Sequence, residues 1–250
     1  LLCSSLLAGK GFVHGFATRN GGVSKPPFAT LNLGLELGDD ESAVRENRRR
    51  FGSELGLAGD TLFEQRQVHG KFVREITAHD RPRDIASCEG DGLISRVSGL
   101  AVAARTADCV PVLIAHPGSG AVAAVHAGWR GAVAGVVPEA IERLGFRPAE
   151  LLVAIGPHIR AAAFEIGDEV AVQMRAAARG PSVVDDSSGK PHGRLAALVE
   201  SQLLACGVPS PAIDDVGGCT HDEPEQFFSH RRDRGKTGRH LSAIVARSPG

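Results

Sequence analysis

Three short strings in the chain each carry a side chain that binds transition metals. They are QVHG at residues 67–70, TADC at residues 106–109 and HAGWRG at residues 126–131, and they contribute His69, Cys109 and His126. Two imidazoles and one thiolate are one ligand fewer than a closed tetrahedral zinc site requires. A zinc ion with three protein ligands keeps a position open for water or substrate. If the three side chains converge, the chain is predicted to be an enzyme.

Each of these residues also has a purely structural explanation. A free cysteine such as Cys109 is commonly a small buried hydrophobic residue. His126 can be a satisfied core histidine, with Trp129 and Arg130 stacked at the end of a sheet. Asp108 changes the balance, because a carboxylate at a strand terminus requires a polar partner or water. Taken as a set, the strings predict catalytic roles for Cys109, Asp108 and His126.

Four further residues are candidates for binding substrate or an anion. Arg19 lies in a glycine-rich segment that is either an anion cradle or simply a loop. Arg130 has a planar guanidinium that suits phosphate or carboxylate. Arg231 belongs to the densest basic cluster of the chain, for which a phosphate clamp, a solvated hairpin and an oligomer contact all remain open. Asp91 is a substrate-binding candidate or part of a turn before a strand.

The hydrophobic pattern predicts the elements that must position these residues. Short apolar runs predict buried strands at residues 100–105, 110–115, 121–126, 151–155, 212–216 and 241–246. Helices are predicted at residues 42–55, 132–144, 166–178 and 194–205. Residues 1–10 are interpreted as a first strand or an ordered start, not as a signal peptide. The irregular mixture of helices and strands predicts an α+β fold with mixed sheets.

Composition argues against several classes of partner. The 250-residue chain is 42% hydrophobic and 23% charged, with a formal net charge of -1, so no basic field attracts nucleic acid or an acidic membrane. With ten Phe, one Trp and no Tyr, it offers few aromatic rings on which single-stranded nucleic acid could stack. No apolar stretch is long enough to span a bilayer. We expect no nucleic-acid or membrane partner, and a monomer or a small homo-oligomer.

The cysteines indicate a reducing compartment. There are five, an odd number, and they are scattered without a Cys-x-x-Cys pair. This is not the pattern of a disulfide framework. The sequence therefore predicts a cytoplasmic protein.

Six strings occur in the order in which they occur in the YfiH-like family, so the chain resembles that family over about residues 15–244. They are QVHG, DGLI, TADCVPV, HAGWRG, IGP and FFSHRRD. The family's domain has also been labelled laccase domain or multicopper polyphenol oxidase. The resemblance implies one catalytic domain over residues 1–250, with large mixed β-sheets flanked by helices, grouped with bacterial cysteine-hydrolase-like folds.

The resemblance also implies an activity. It implies zinc bound by His69, Cys109 and His126, phosphorolysis of adenosine, inosine and methylthioadenosine, and deamination of adenosine. The implied partners are a purine nucleoside and phosphate. Zinc nucleobase deaminases use a glutamate as proton carrier in a His-x-Glu motif that this chain lacks, which leaves Asp108 or Asp91 for that role.

The copper oxidase label is disfavoured by the residues. A multicopper oxidase requires many imidazoles, typically in closely spaced pairs, and none of the ten histidines forms a His-x-His pair. A blue-copper centre often adds a weak axial methionine. The only methionine, Met174, lies in a predicted helix far along the chain.

Two other functions remain open on the same residues. In a cysteine hydrolase or amidase acting on peptidoglycan precursors, Cys109 is the nucleophile and His126 or His69 the base. In a non-enzymatic zinc-stabilised binding module, a fourth ligand closes the site, with His158 or Cys88 as candidates. His158 follows the IGP string, where the family often has cysteine, so the role of this position is open.

Overall fold

The secondary structure follows the apolar runs of the sequence. A computed structural model describes residues 1–57, 61–178 and 182–249. The strands are β1 (His14–Phe16), β2 (Leu62–Phe63), β3 (Val73–Ile76), β4 (Gly92–Ser95), β5 (Ala101–Thr106), β6 (Val110–Ala115), β7 (Val122–Ala127), β8 (Leu152–Ile155), β9 (Val184–Asp185), β10 (His192–Gly193), β11 (Ile213–Asp215) and β12 (His240–Val245). The helices are α1 (Ser5–Ala8), α2 (Glu41–Glu54), α3 (Pro82–Ala86), α4 (Trp129–Ala134), α5 (Val136–Leu144), α6 (Asp168–Ala177) and α7 (Leu195–Cys206).

Two mixed sheets organise the described part of the chain. The larger has six strands in the order β11-β8-β6-β7-β4-β3, antiparallel at its centre and parallel at the β11–β8 and β4–β3 pairs. The smaller has four strands in the order β1-β12-β5-β2, in which only the β2–β5 pair is parallel. Strands β9 and β10 pair separately. This mixed pairing confirms the predicted α+β fold.

The two sheets pack face to face, with helices on their outer faces. The core between them joins Phe16 and Val102 of the smaller sheet to Leu113 and Ala124 of the larger. Helices α4 to α7 pack on the other side of the larger sheet, and α2 covers the smaller sheet with Phe51. Every residue of β6 and β7 is therefore buried, which is why these strands are continuous apolar runs in the sequence.

Three local features differ from the sequence prediction. The strand interpretation of residues 1–10 is wrong at Ser5–Ala8, which form a helix capped by the Ser4 side chain. The helix predicted at residues 132–144 starts earlier, at Trp129, and is divided into α4 and α5 at Gly135. Gly135 has φ 87°, a left-handed conformation that glycine adopts without a Cβ clash. Helix α3, which has Pro82 in its first turn, was not predicted.

Within the described ranges, no helix is long and apolar enough to cross a membrane.

Candidate active site

A crossing between the two sheets places Cys109 beside His126. Strand β5 belongs to the smaller sheet and β6 to the larger, and residues 107–109 connect them. Asp108 in this connection has φ 96°, so the chain turns sharply. Strand β6 is antiparallel to β7, with Pro111 opposite His126. The start of β6 therefore lies next to the end of β7, as the two strings predicted.

His69 reaches the same edge of the sheet through a loop that Asp91 holds. Asp91 directly precedes β4, the neighbour of β7. Its carboxylate accepts hydrogen bonds from the backbone N–H groups of Val68, His69 and Gly70 at 3.2, 2.9 and 2.7 Å. His69 itself has φ 59°, a left-handed conformation that is uncommon for a residue with a side chain. The three backbone contacts fix this strained turn.

Asp91 also orients His126. His126 Nδ1 lies 2.8 Å from Asp91 Oδ1, and the backbone N–H of His126 donates to the backbone carbonyl of Asp91. Burial raises the pKa of Asp91, but the hydrogen bonds from His126 and Gly70 outweigh it and hold that pKa below its ordinary value. With Nδ1 on the carboxylate, Nε2 is the nitrogen that remains for a ligand. One carboxylate thus positions two of the three candidate ligands.

The ligand atoms of His69, Cys109 and His126 lie within 4.8 Å of one another. His69 Nε2 is 3.8 Å from Cys109 Sγ, and the two imidazole rings meet edge to face with centroids 4.8 Å apart. A tetrahedral zinc with typical Zn–S and Zn–N bonds separates such atoms by roughly 3.6 Å. The donor set and its spacing therefore fit zinc. Among the described residues, neither His158 nor Cys88 joins this group.

Two glycines of the HAGWRG string give the site its clearance. A Cβ atom on Gly128 would lie 2.5 Å from His69 Cδ2 and 3.2 Å from Cys109 Sγ. A Cβ atom on Gly131 would lie 2.7 Å from the backbone carbonyl of Gly70. Helix α4 approaches the ligands this closely only because both positions lack a side chain.

Cys109 and His126 stabilise each other's charged forms. Burial opposes ionisation of the Cys109 thiol, but the charge of His126 and hydrogen bonds from His126 and His69 outweigh it and lower the pKa to about 6. Burial likewise opposes protonation of His126, but Cys109 and Asp91 outweigh it and raise the pKa to about 9. A thiolate beside an imidazolium backed by a carboxylate suits nucleophilic chemistry, and a thiolate is also the form that binds metal.

The three ligands open onto a cavity of about 420 Å³, a volume typical of small-molecule sites. Its apolar lining comprises Leu35, Leu37, Trp129, Ile159, Phe164 and Leu195. Its basic lining comprises Arg105, Arg130, His230, Arg231 and Arg239. The cavity therefore combines an apolar surface with a strongly cationic one beside the ligand cluster.

Two of the predicted anion-binding arginines line this cavity. The Arg130 guanidinium lies 4.5 Å above the Trp129 ring, and that of Arg231 lies 5.3 Å above the Phe164 ring. Both arginines are exposed. They extend the cationic lining to the rim of the cavity.

Arg19 does not belong to the cavity lining. Its Nε donates to the backbone carbonyl of Ala29 and its Nη1 to that of Pro224, both at 2.8 Å. Its guanidinium also lies 4.7 Å above the Phe228 ring. These contacts hold loops together, so the glycine-rich segment that carries Arg19 has a structural reason for its arginine.

Asp108 lines the cavity but uses both of its carboxylate oxygens. Oδ1 accepts the Thr220 hydroxyl and Oδ2 accepts the Arg231 backbone N–H, each at 2.7 Å. The polar partner that the sequence required is therefore present. Asp108 ties the Cys109 turn to the loop that carries His230 and Arg231.

His158 lies outside the cavity lining. It is buried, and its Nδ1 lies 2.8 Å from the Gly156 backbone carbonyl. Burial, together with the charge of Arg160, lowers its pKa to about 4. His158 is thus a neutral interior histidine that supports the chain beside the site.

Sequence reasoning missed several lining residues. Arg105 directly precedes the TADC string and ends the strand predicted at residues 100–105, so its place at a strand end was a usable signal. Arg239 directly precedes β12 and carried the same signal. Leu35 and Leu37 come from a segment distant in sequence, and no local pattern marks them as lining the cavity.

A family model described as multi-copper polyphenol oxidoreductase laccase matches residues 13–247. A protein named purine nucleoside phosphorylase YlmD, from Geobacillus stearothermophilus, is 38% identical over 249 residues, covering 95% of this chain and 91% of the relative. One named purine nucleoside phosphorylase YfiH, from Escherichia coli K12, is 38% identical over 236 residues, covering 94% of each.

Solved structures resemble the whole fold. The crystal structure of YlmD from Geobacillus stearothermophilus superposes with a TM-score of 0.91 at 36% identity, covering 98% of this chain and 94% of that one. The crystal structure of a hypothetical protein YfiH from Bacillus licheniformis gives a TM-score of 0.88 at 34% identity, covering 94% and 92%. The sheet arrangement described above is therefore common to these proteins.

Proposed function

Because this chain belongs to the multi-copper polyphenol oxidoreductase laccase family, and relatives are named purine nucleoside phosphorylase, we propose that it is a zinc-dependent purine nucleoside phosphorylase. The predicted resemblance to YfiH-like proteins is confirmed by the same matches. We extend the proposal to adenosine, inosine and methylthioadenosine as substrates and to deamination of adenosine. The observation that carries it is the convergence of His69, Cys109 and His126 on a cavity with a cationic wall.

Phosphorolysis makes specific demands on such a cavity. An oxygen of phosphate attacks C1′ of the ribose, and the bond from C1′ to the purine N9 breaks. The bonding pair leaves with the purine, which takes up a proton, and the products are ribose 1-phosphate and the free base. Guanidinium groups of the cavity lining neutralise the phosphate, and Arg130 and Arg231 attract it at the rim. The apolar lining packs the base.

The three ligands would hold zinc in this site. When bound, zinc supplies Lewis acidity that polarises a substrate oxygen or lowers the pKa of water. Asp91 holds the proton of His126 Nδ1 and the backbone of the His69 loop. For deamination, in which water replaces the purine amine and ammonia leaves, we assign proton transfer to Asp108 because it lines the cavity and Asp91 does not. Its bonds to Thr220 and Arg231 use one lone pair on each oxygen, so a second lone pair remains for the proton.

Zinc is better supported than copper by the residues present. Among the described residues, His69, Cys109 and His126 form the one group of three or more candidate ligands. Met174, the only methionine, lies on helix α6 and is buried in the hydrophobic core. A multicopper oxidase holds several copper ions, and this arrangement offers one site.

A cysteine hydrolase is the second candidate, and one observation favours it. Cys109, His126 and Asp91 have the order of nucleophile, base and orienting carboxylate. In an amidase acting on a peptidoglycan precursor, the thiolate attacks the amide carbon and the amine leaves with a proton from His126. Water then cleaves the thioester. Activity that survives thorough chelation of metal would favour this chemistry.

A cytoplasmic location completes the proposal. Cys3, Cys88, Cys109, Cys206 and Cys219 are all free thiols. Free thiols are typical of a reducing compartment. We also propose that residues 1–250 act as one catalytic domain, since the family match extends over residues 13–247.

The direct test is incubation of the purified protein with adenosine and phosphate, with adenine, inosine, hypoxanthine and ribose 1-phosphate resolved. We expect adenine and ribose 1-phosphate only when phosphate is present, and inosine from deamination. His69→Ala and Cys109→Ala should abolish both phosphorolysis and deamination, whereas Cys3→Ala, which removes an exposed thiol, should keep both activities. If both site variants keep full activity, the site lies elsewhere.

A further inference from the structure

Arg105 and Arg239 place two like charges together in the wall of the cavity. Both line it, and both are half-buried rather than exposed. Burial lowers the pKa of the Arg239 guanidinium, repulsion from Arg105 lowers it further, and the charges of Cys109 and Asp108 act in the opposite direction. The cationic pair and the candidate metal ligand Cys109 therefore line the same cavity.

The orientation of Arg239 is fixed by its surroundings. Its Nη1 donates to the backbone carbonyls of Thr237 and Gly238, both at 3.0 Å. Its backbone N–H donates to Asn32 Oδ1 at 2.9 Å, and a Cβ atom on Gly34 would lie 2.9 Å from its Cγ. The fork is held in place by the protein before any ligand binds, so little side-chain entropy remains to be lost on binding.

The donors on the other side of the fork lack acceptors. Among the described residues, Nε has no hydrogen-bond partner, and Nη2 has only a 3.5 Å contact with His230 Nδ1. No carboxylate of the described chain lies within ion-pair distance of Arg239. Half-buried charges without partners are costly, and an anionic ligand removes that cost.

The nearby carboxylates do not neutralise the pair. Arg105 Nη1 is 3.4 Å from Glu64, and Glu64 makes a closer ion pair with Arg48 at 2.5 Å. Asp108 already accepts from Thr220 and Arg231 through its two oxygens. The pair therefore retains net positive charge on the side that faces the cavity.

We propose that Arg239 and Arg105 form the binding site of the phosphate co-substrate. This inference rests on the proposed phosphorylase function. Arg130 and Arg231 are exposed and lie on aromatic rings, where salt screens them more strongly. The deeper pair offers planar donors that match phosphate oxygens. It also holds phosphate close to Cys109, and the rim arginines then act on entry and on the nucleoside.

The test measures inorganic phosphate binding by titration calorimetry, together with the phosphate and inosine KM values, for wild type and Arg239→Gln. Arg45→Gln is the matched control, since it removes one positive charge from a side chain that is 72% exposed on α2. We expect the phosphate Kd and KM to rise roughly 10- to 100-fold in Arg239→Gln, as for loss of a charged hydrogen bond. The inosine KM should change less than about threefold. Arg239→Lys should recover only part of the binding, because it restores the charge without the planar fork.

An unchanged phosphate Kd in Arg239→Gln would refute phosphate binding at Arg239 and Arg105, as would wild-type protein that binds no phosphate. A loss confined to Arg130→Gln would also overturn it and move phosphate to the rim. If Arg239→Gln does not fold, Arg105→Gln decides in the same way, since its side chain makes a single long ion pair. If phosphate binding depends on Arg239 but no ribose 1-phosphate forms, the proposed function is refuted and the phosphate site is supported. If ribose 1-phosphate forms and the phosphate KM is unchanged in Arg239→Gln, the phosphate site is refuted and the proposed function is supported.

Discussion

The ligand cluster and the arginine pair lie on one cavity, yet they are built in opposite ways. In the ligand cluster, the Asp91 carboxylate accepts from three backbone N–H groups and from His126. In the arginine pair, Arg105 repels Arg239, and the one carboxylate that pairs with Arg105, that of Glu64, is shared with Arg48. The first region satisfies its own charges, and the second is left cationic.

This difference separates the tasks of the two regions. Groups that must hold reacting atoms in place are preorganised when the protein itself satisfies them. Groups that must attract an anion work better with uncompensated charge. Asp108 joins the regions, because it flanks Cys109 and accepts the Arg231 backbone N–H. Substitutions confined to one region therefore test one task at a time.

Removal of the Asp91 carboxylate should have the largest effect. Asp91→Ala leaves the part-buried N–H groups of residues 68–70 and the buried His126 ring without an acceptor, which should destabilise the fold by roughly 2–5 kcal/mol. Metal affinity should fall about 10- to 100-fold, since the carboxylate that hydrogen-bonds a ligating histidine orients its ring. Urea unfolding, metal titration and kcat/KM measure these changes. Asp84→Ala, whose side chain is 67% exposed, is the control. An Asp91→Ala enzyme with normal metal affinity would contradict the account.

A single methyl group in the ligand cluster should have the next largest effect. Gly128→Ala places Cβ 2.5 Å from His69 Cδ2, so the imidazole or α4 must move. We expect a loss of roughly 10- to 100-fold in kcat/KM, because a small misplacement of reacting groups is costly. Gly52→Ala on α2, whose Cβ would lie 4.0 Å from Leu57, should leave activity unchanged. Equal activity of the two variants would show that the cluster tolerates displacement.

The arginine region should make the protein sensitive to acid through His240. Burial, followed by the charges of Arg19, Arg239 and Arg232, lowers the pKa of His240 from 6.5 to about 3. Since the folded pKa lies below the unfolded one, the stabilising effect is complete above pH 6.5 and is lost as pH falls toward 3. Each unit by which pH falls in that window lowers the free energy of unfolding by roughly 1.4 kcal/mol through His240 alone. Urea unfolding between pH 7 and pH 4 should give a shallower pH slope for His240→Gln than for wild type, and parallel slopes would refute the assignment.

The smallest effect is expected at Arg19. Its guanidinium donates to the carbonyls of Ala29 and Pro224, outside the cavity lining. Arg19→Gln should therefore change the phosphate KM by less than about twofold, even if it lowers stability. A shift as large as that of Arg239→Gln would place phosphate near the glycine-rich loop instead.

The sequence predicted the elements where local pattern decides them. Strands β6 and β7 were predicted within one residue because both are apolar and buried on two faces. The end of α7 was marked by Gly207, which has φ 98°. Helix α1 was missed, since its four residues lie in an apolar run that also suits a strand.

The candidate site was predictable only in part. The metal-binding types of His69, Cys109 and His126 are visible in the sequence, and their placement at strand ends suggested that they meet. The partners of Asp91 were not predictable, because its four hydrogen bonds come from residues 21 to 35 positions away. The pairing of Arg105 with Arg239 likewise depends on the alignment of β5 with β12, which brings Thr106 opposite His240.

Metal content and phosphorolysis, measured on the same purified sample, decide whether the site of His69, Cys109 and His126 works with zinc. Purified wild type should contain about one zinc ion per chain, as expected for a three-ligand catalytic site. Phosphorolysis of inosine should disappear on chelation and return in proportion to added zinc, while Cys109→Ala should neither retain zinc nor recover. Full phosphorolysis by metal-free protein, or activity restored by copper and not by zinc, would show that the enzyme does not depend on zinc.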